Sequence, residues 1–513
     1  SETLPTFRSR VRLPSLAPIK IFSSIKMYKG TNVIDTAIIE KSNEGIKLIK
    51  EKKFDEAYKV LSELIFEFSN NFYPKYLLGL LQIEKKEFQS ALENLTASLN
   101  INDKYLPSYI NLSYVYTKLN NYSKSEETLI KGLSLDNSNL QLRLNLSLVY
   151  LIQGKIKDLI KNDYDILDIE PKNYYVINRL CDLNQPLLNK KLKSQLQKDL
   201  KRNNLSEENK IYANFLLARY QSNNNKIGKE YEYLINAHKI IFQNNKKIFQ
   251  ANNEFIFTKL SKIYELFDSK IDIQKLDLDI EKLKPIFIFG LPRSGSTLLE
   301  KIIINSNPDI VAGEETKFFN EIANTLFFEK YNSNISNCIL DIYRQYSHLT
   351  KSKTLNFNFT DKSLNNFFFL GWIKLLFPSA KFINCNRDPY IIMSSILKNN
   401  LSNITWSHQL NDIVSYISVY NDIMKKWKNL IDIKIYQFHY SNLTKDFNSE
   451  TKNLFNFCDL KWNKDLMNFN KYKFESHTAS NIKVRGPFST AEDEKHSEMS
   501  NFLKKKINIA DWE

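Results

Sequence analysis

Hydrophobic and small residues recur along the first third of the chain with a period of 34 residues. Two columns of large apolar residues hold through four copies, namely Phe54, Phe88, Tyr122 and Ile156, and Ile65, Leu99, Leu133 and Leu167. Small residues share this spacing at Ala57, Ala91 and Ser125 (Leu159 in the fourth copy) and at Gly45, Gly79, Ser113 and Ser147. Small residues let paired helices approach closely, and large ones fill the gaps between neighbouring pairs. The pattern predicts an α-solenoid over residues 36–173.

This pattern resembles the tetratricopeptide repeat, a helix pair of about 34 residues. Pro171 ends the fourth copy, and helical spacing continues beyond it without the period. We expect four segments: a disordered or targeting-like basic arm over 1–35, tetratricopeptide repeats over 36–173, atypical helical repeats and a linker over 174–283, and a second domain over 284–513. Such a solenoid either offers a concave surface to a peptide or protein or serves as a packing or dimerisation module. The sequence leaves both open.

A different pattern begins at residue 285. PIFIFG (285–290) is an unbroken apolar run, as expected of a strand buried on both faces of a parallel sheet. The loop GLPRSGST (290–297) connects this strand to a helical segment. A strand, a loop and a helix in this order form either a cradle of main-chain N–H groups that binds an anion or a tight turn without a ligand. The spacing matches GxxxxGK[ST], but Ser296 replaces its lysine and Arg293 lies inside the loop. The pattern predicts a P-loop-like α/β domain with a mostly parallel sheet.

The composition supports long helices and excludes other classes. A chain of 513 residues predicts two to four domains, and 11 Gly with 13 Pro disfavour a turn-dense β-sandwich or barrel. Four Cys without a CxxC pair exclude a disulfide scaffold and a Cys-based zinc site. The net charge of +15 suits a polyanionic ligand. The chain lacks an interleaved stripe of basic and aromatic residues of the kind that binds nucleic acid. It also lacks an apolar run of about 18 residues that would predict a membrane span.

The first 30 residues contain few acids and several basic residues. This composition is typical of an organelle transit peptide or of a disordered arm. Because the segment lacks the apolar core of a secretory signal, we expect a cytoplasmic protein.

Six motifs resemble, in order, the sulfotransferases that use 3′-phosphoadenosine 5′-phosphosulfate, especially the tyrosylprotein type and its bacterial relatives fused to tetratricopeptide repeats. They are PRSGST (292–297), NPDIVAGEET (307–316), FTDKSLNNF (359–367), KFINCNRDPYIIMSS (381–395), FHYSNL (438–443) and HTASNIKVRGP (477–487). Asn307 and Leu364 replace the usual His and Pro, and only Tyr440 carries over from the YEDL turn that FHYSNL resembles. The resemblance implies sulfuryl transfer from this nucleotide to an acceptor hydroxyl, with GEET favouring tyrosine of a protein or peptide. A sulfuryl group carries less negative charge than a phosphoryl group, so Arg, Lys and main-chain amides can move it without a metal.

The same resemblance implies which residues hold the donor. The loop would bind the 5′-phosphosulfate, while an Arg and a Ser eight residues apart, Arg387 and Ser395, would bind the 3′-phosphate. A competing explanation for part of this motif is structural, since Asp388 and Pro389 are typical of a helix cap and first turn. The candidate donor-binding residues are Arg293, Ser294, Gly295, Ser296, Thr297, Arg387, Ser395, Tyr440, Lys483 and Arg485.

The candidate catalytic residues are Glu315, Lys362 and Ser480. Glu315, the second acid of GEET, would accept the proton of the acceptor hydroxyl. Glu314 is the alternative, and both acids could instead serve to open a helix, where the macrodipole favours them. Lys362 would stabilise charge on the leaving oxygen, and Ser480 resembles a second hydroxyl on the donor side. His408 and His477 are weaker candidates for the base.

Two other functions remain open at this stage. A phosphotransferase could use the same scaffold, although the missing lysine at Ser296 and the lack of an obvious Mg²⁺-binding Asp argue against it. A non-catalytic scaffold would have altered Arg293 and Lys362, and both are present. Glycans and small metabolites also remain possible acceptors, because a fold does not fix a substrate.

Overall fold

The computed structural model describes residues 36–202, 204–267, 283–307, 310–313, 315–327, 335–351, 358–463, 466 and 491–509. Within these ranges the contacts divide the chain into two compact units, the first ending at Gln185 and the second beginning at Pro186. None of the helices in these ranges combines the length and the hydrophobicity needed to cross a bilayer.

The described part of the first unit consists of tetratricopeptide-type helical repeats. Its helices are α1 (Thr36–Lys50), α2 (Phe54–Glu67), α3 (Phe72–Lys85), α4 (Phe88–Ile101), α5 (Leu106–Lys118), α6 (Tyr122–Leu135), α7 (Leu140–Gln153), α8 (Ile156–Ile169) and α9 (Tyr174–Asp182). The predicted column that begins at Phe54 supplies the first residue of α2, α4, α6 and α8. Helices α3, α5, α7 and α9 also begin 34 residues apart. The solenoid prediction is confirmed.

Glycines in the repeat let two helices of a pair come close together. A side chain on Gly45 of α1 would meet Leu61 of α2 at 2.8 Å, and one on Gly79 of α3 would meet Leu95 of α4 at the same distance. Leu61 and Leu95 are both fully buried. Because contacts under about 3 Å are repulsive, a larger residue at either position would have to displace the leucine, in keeping with the predicted column of small residues.

The second unit begins with four helices that lack the 34-residue period. These are α10 (Lys190–Arg202), α11 (Glu207–Ser222), α12 (Ile227–Asn244) and α13 (Lys246–Thr258), followed by a 3₁₀ helix over Leu260–Leu266. The segment 174–283, expected from the sequence to form atypical repeats and a linker, is therefore divided between the two units. Helix α9 lies in the first unit, and α10–α13 lie in the second.

A five-stranded parallel sheet forms the centre of the second unit. Its strands are β1 (Lys284–Gly290), β2 (Val311–Ala312), β3 (Asn358–Asp361), β4 (Lys381–Asn386) and β5 (Ile435–His439). The order across the sheet is β2-β3-β1-β4-β5, and every neighbouring pair is parallel. In such sheets, ligands bind beyond the carboxyl ends of the strands, where the strand order reverses. Here that point lies beside the carboxyl end of β1, and the prediction of a mostly parallel sheet is confirmed.

Nine further α-helices belong to this unit in the described ranges. They are α14 (Ser296–Ser306), α15 (Asn320–Phe327), α16 (Ile335–Lys351), α17 (Leu370–Leu376), α18 (Pro389–Leu397), α19 (Leu410–Leu430), α20 (Tyr440–Lys445), α21 (Phe447–Phe457) and α22 (Ala491–Lys504). The central strand β1 is apolar and buried from residue 285 onward, as the sequence predicts. The apolar run at 367–377 is likewise buried and forms part of a 3₁₀ helix (Leu364–Phe369) and α17.

A buried histidine pair joins the helical segment to the sheet-bearing part of this unit. His238 of α12 and His408, at the end of a 3₁₀ helix (Thr405–His408), approach each other with 2.9 Å between their Nδ1 atoms. Their Nε2 atoms face the carbonyl oxygens of Leu397 and Leu401 at 2.9 and 3.2 Å. Both histidines have lowered pKa values, about 4 for His238 and about 3 for His408, and burial is the main cause.

This pair predicts a loss of stability in mild acid. A histidine that is neutral in the fold and ionises near its usual pKa of about 6.5 when unfolded stabilises the fold above that pH. The stabilisation disappears as the pH falls towards the lower pKa of the folded protein. Between pH 7 and pH 5 the loss should be on the order of 1 to 2 kcal/mol per ring. Urea unfolding at both pH values measures it.

The variant His238→Gln tests this prediction. His439→Gln is its control, because His439 is exposed at the end of β5. The first variant should show a smaller decrease in stability between pH 7 and pH 5 than wild type, and the second should match wild type. A wild-type stability that rises towards pH 5 would mean that the two Nδ1 atoms share a bound proton, contrary to this expectation.

Candidate active site

The loop between β1 and α14 has the backbone of an anion cradle. Gly290, Arg293 and Gly295 all lie in the left-handed region, with φ of 140°, 73° and 97°. A non-glycine residue such as Arg293 seldom adopts this conformation, and successive N–H groups in such a loop form a concave anion site. Gly290 is also needed for space, because a Cβ there would lie 2.6 Å from the carbonyl oxygen of Cys385.

Ser294 shows that this cradle contains an unsatisfied polar group. The residue is fully buried, and its Oγ has no hydrogen-bond partner in the described part of the chain. A buried hydroxyl without a partner costs about 1–3 kcal/mol unless a ligand or water satisfies it. The next residues, Ser296 and Thr297, open α14 and are also buried. The loop therefore presents hydroxyl and N–H groups of the kind that an anionic ligand requires.

The structure brings four of the predicted donor-binding residues together beside this loop. Arg293 Nε donates to Ser395 Oγ at 3.0 Å, and Arg387 Nη1 donates to the carbonyl oxygen of Arg293 at 2.9 Å. The guanidinium of Arg387 lies 4.7 Å from the centre of the Tyr440 ring, a cation–π distance. Tyr440 also borders the loop, since a Cβ on Gly295 would lie 2.8 Å from its Cδ2. Two arginines from different strand ends thus meet at one edge of the sheet.

Helix α18 fixes the direction of Ser395. Asp388 caps this helix by accepting hydrogen bonds from the main-chain nitrogens of Tyr390 and Ile391 at 2.9 and 3.1 Å. Pro389 is the first helical residue, where its missing N–H costs nothing. The cap and first turn predicted from the sequence are therefore present. Because Arg387 precedes this cap directly, the end of β4 and the start of α18 hold Arg387 and Ser395 on the same side of the loop.

A second polar group lies around Lys362, which follows β3. Lys362 is only 1% exposed, and its Nζ lies 3.2 Å from Glu315 Oε1 and 3.9 Å from Glu300 Oε2. On the other side of Glu315, Lys317 Nζ lies 3.9 Å from Oε2. Burial lowers the pKa of Lys317, an effect that the Glu315 carboxylate opposes and Lys362 reinforces. Carboxylates and ammonium groups therefore alternate through this part of the site.

Hydrogen bonds to Asp361 and Ser363 hold the segment that carries Glu315. Thr316 Oγ1 donates to Asp361 Oδ2 at 2.6 Å, and the buried hydroxyl of Tyr346 donates to the same oxygen. The main-chain nitrogen of Lys317 donates to Ser363 Oγ at 3.0 Å. Both residues that follow Glu315 are thus tied to the end of β3. These bonds hold Glu315 beside Lys362. A side chain can act as a general base only if it is held in such a defined position.

The structure places three further residues beside the candidates that the sequence interpretation named. Glu300, Lys317 and Asp361 were not singled out, although Glu300 is an acid in an apolar helix and the other two adjoin GEET and Lys362. His408 is buried against His238, so it belongs to the histidine pair rather than to this group. Glu314, His477, Ser480, Lys483 and Arg485 lie outside the described residues. Within the described ranges, no group of three or more His, Cys, Asp or Glu could hold a metal ion.

Part of the second unit matches a known protein family. Residues 285–464 match the sulfotransferase family. The matched region contains Arg293 and Arg387, called here the arginine cluster, and the group around Lys362. The tetratricopeptide-type repeats, in contrast, are identified by their own 34-residue helix spacing.

Two curated relatives match part of the chain at low identity. An uncharacterized protein of Aquifex aeolicus (strain VF5) is 24% identical over 328 residues, which cover 59% of this chain and 42% of that protein. Protein-tyrosine sulfotransferase A of Caenorhabditis elegans is 24% identical over 226 residues, which cover 38% of this chain and 55% of that protein. The chain thus spans about half the length of the curated relatives it matches.

Two solved structures also resemble part of the chain. YrrB, described as a tetratricopeptide-repeat protein with an unusual peptide-binding site, is 12% identical and covers 40% of this chain and 86% of its own, with a TM-score of 0.25. MamA is 14% identical and covers 41% and 94%, with a TM-score of 0.26.

Proposed function

We propose that this protein is a sulfotransferase that moves a sulfuryl group from 3′-phosphoadenosine 5′-phosphosulfate to an acceptor hydroxyl. The observation that carries this proposal is the pairing of Arg293 and Arg387 beside a phosphate-type loop that has Ser296 in place of lysine. The donor carries both of its anionic groups on one ribose, so it needs two cationic sites that are close together. The match of residues 285–464 to the sulfotransferase family supports the same assignment.

The residues of the cradle fit the donor. The unpaired Ser294 hydroxyl, the N–H groups of the loop and Arg293 would hold the 5′-phosphosulfate. Arg387 and Ser395 would hold the 3′-phosphate, and Tyr440 would keep the Arg387 guanidinium in place. When bound, the donor supplies an activated sulfuryl group whose leaving group is a phosphate. Lys483 and Arg485 remain predicted phosphate contacts.

The group around Lys362 would act on the acceptor and on the leaving phosphate. Glu315 would take the proton of the attacking hydroxyl, since its carboxylate is partly exposed and is held beside Lys362. Lys362 would stabilise the negative charge on the leaving oxygen, and burial away from water strengthens such an interaction. Ser480 remains a predicted hydroxyl contact on the donor side.

The proposed acceptor is a tyrosine of a protein or peptide. GEET resembles the tyrosylprotein sulfotransferases, and one curated relative is named as a protein-tyrosine sulfotransferase. A repeat domain of the kind that offers a concave surface to polypeptides fits such an acceptor. Under this proposal the repeats bind the protein substrate.

The test uses sulfur-labelled donor and a library of hydroxyl acceptors that includes tyrosine peptides, glycans and small phenols. Wild type should transfer label to one class, whereas Arg293→Ala and Glu315→Gln should transfer little. Equal transfer by all three proteins would contradict the proposed site. If the wild type neither transfers label nor binds adenosine 3′,5′-bisphosphate, the chain is better explained as a non-catalytic scaffold.

The reaction is expected to continue in an excess of chelator. Two guanidinium groups and two lysines surround the proposed site, and a sulfuryl group carries less charge to neutralise than a phosphoryl group. The transfer rate in 10-fold excess chelator should therefore stay within about twofold of the untreated rate, in contrast to kinases, which depend on Mg²⁺. A rate that is lost with chelator and restored by Mg²⁺ would favour the phosphotransferase alternative.

A further inference from the structure

A buried carboxylate beside the proposed catalytic lysine has no part in the function described so far. Glu300 lies on α14, the helix that begins at the cradle, and is only 1% exposed. A carboxylate is seldom buried to this extent unless cations and hydrogen-bond donors surround it. Its surroundings therefore indicate what it does.

Glu300 connects three segments of the site. Its Oε1 accepts a hydrogen bond from Thr360 Oγ1 of β3 at 2.9 Å, and its Oε2 lies 3.9 Å from Lys362 Nζ. Thr360 Oγ1 also lies 3.4 Å from the main-chain nitrogen of Gly313, close to Glu315 in sequence. The cradle helix, the end of β3 and the segment that carries the proposed base all meet at this carboxylate.

We infer that Glu300 is a positioning residue of the transfer step, which holds the ammonium of Lys362 and the segment that carries Glu315 in place. This inference rests on the proposed function. Glu300 itself touches neither the donor nor the acceptor. It acts on Glu315 through charge and through Lys362, and on the segment 311–313 through Thr360.

Two sets of contacts carry this role. Glu300 and Glu315 share the ammonium of Lys362, and Thr360 links the other oxygen of Glu300 to the main-chain nitrogen of Gly313. Removing the charge of Glu300 should therefore leave Lys362 less firmly held for the transfer step, while the arginines that would hold the donor keep their contacts.

Other charged or titratable groups face this network from each neighbouring element. Lys317 lies beside Glu315 on its own segment, Asp361 of β3 holds Thr316, and Tyr346 of α16 donates to Asp361. Burial raises the pKa of Cys385 of β4 and keeps its thiol protonated, although the charge of Lys362 acts to lower that pKa. All four remain unchanged in the variants proposed next, so a difference between the variants reports on Glu300.

The variant Glu300→Gln keeps the shape and the acceptor for Thr360 while removing the charge. We expect kcat to fall about tenfold while the KM for the donor stays within about twofold, because the variant holds Lys362 less firmly but leaves the arginines in place. Thr360→Val is the matched variant. It loses the hydroxyl contacts but keeps the charge of Glu300, so its kcat should fall by less. An unchanged kcat in Glu300→Gln, or a donor KM that rises as much as kcat falls, overturns the inference.

A second measurement separates this inference from the proposed function. Crystal structures of Glu300→Gln and Thr360→Val require no turnover. We expect Lys362 Nζ to leave its position beside Glu315 in Glu300→Gln and the segment 311–313 to shift in Thr360→Val, while the loop 290–297 keeps its backbone. Unmoved positions of Lys362 and of segment 311–313 overturn the inference. Absence of label transfer by the wild type overturns the proposed function and leaves these structures interpretable.

Discussion

Replacing Glu315 with Gln should lower kcat by about 10²- to 10⁴-fold, the usual range for removing a general base. Gln has nearly the same shape but cannot accept the proton of the attacking hydroxyl. The KM for the donor should change little, because Glu315 lies with Lys362 rather than with the arginine cluster. Steady-state rates with the best acceptor from the library give both constants.

Glu314→Gln is the control for this prediction, since it removes the adjacent acid of the same motif. Its rate should stay close to wild type. If Glu314→Gln lost activity and Glu315→Gln retained it, the base would be Glu314, and the contacts of Glu315 with Lys362 and Lys317 would be structural.

Replacing either arginine of the cluster with Ala should weaken donor binding by about 10- to 150-fold. A hydrogen bond to a charged group contributes about 1.5–3 kcal/mol, and Arg293 and Arg387 each face one anionic group of the proposed donor. Arg387→Lys should recover little, because an ammonium cannot make the bidentate contact of a guanidinium or stack as well on Tyr440. Calorimetric titration with adenosine 3′,5′-bisphosphate measures the dissociation constants.

Arg344→Ala is the control for the loss of a positive charge, since Arg344 is 62% exposed on α16 and pairs with Asp341. Its donor affinity should equal that of wild type. The double variant of Arg293 and Arg387 should lose less than the sum of the single losses, because Arg387 donates to the Arg293 carbonyl. Unchanged affinity in both single variants would contradict the proposed donor site.

The fold could be predicted where the signal is local and periodic. The 34-residue columns gave the first residues of α2, α4, α6 and α8, because each repeat contacts mainly its neighbours. The apolar run before Gly290 likewise predicted a buried strand, and the strand, loop and helix around Arg293 follow one another in the sequence. These features depend on residues only a few positions apart.

The contacts missed by the sequence interpretation are those between distant segments. Glu300 and Lys362 are 62 positions apart, and nothing near Glu300 in the sequence indicates that a cation covers it. His238 and His408, 170 positions apart, join α12 to the segment after α18. Helical spacing alone groups α10–α13 with the solenoid, but such spacing does not specify which surface a helix packs against. Only the three-dimensional contacts show that these helices belong to the second unit.

The central claim is that one sulfated adenosine nucleotide spans the two arginines at the carboxyl edge of the sheet. A crystal structure of the protein with adenosine 3′,5′-bisphosphate tests this claim without knowledge of the acceptor. We expect the 5′-phosphate on the amides of residues 294–297 and the 3′-phosphate within hydrogen-bond distance of Arg387 and Ser395. A nucleotide bound with its phosphates away from Arg293 and Arg387, or no binding at millimolar concentration, would contradict the account.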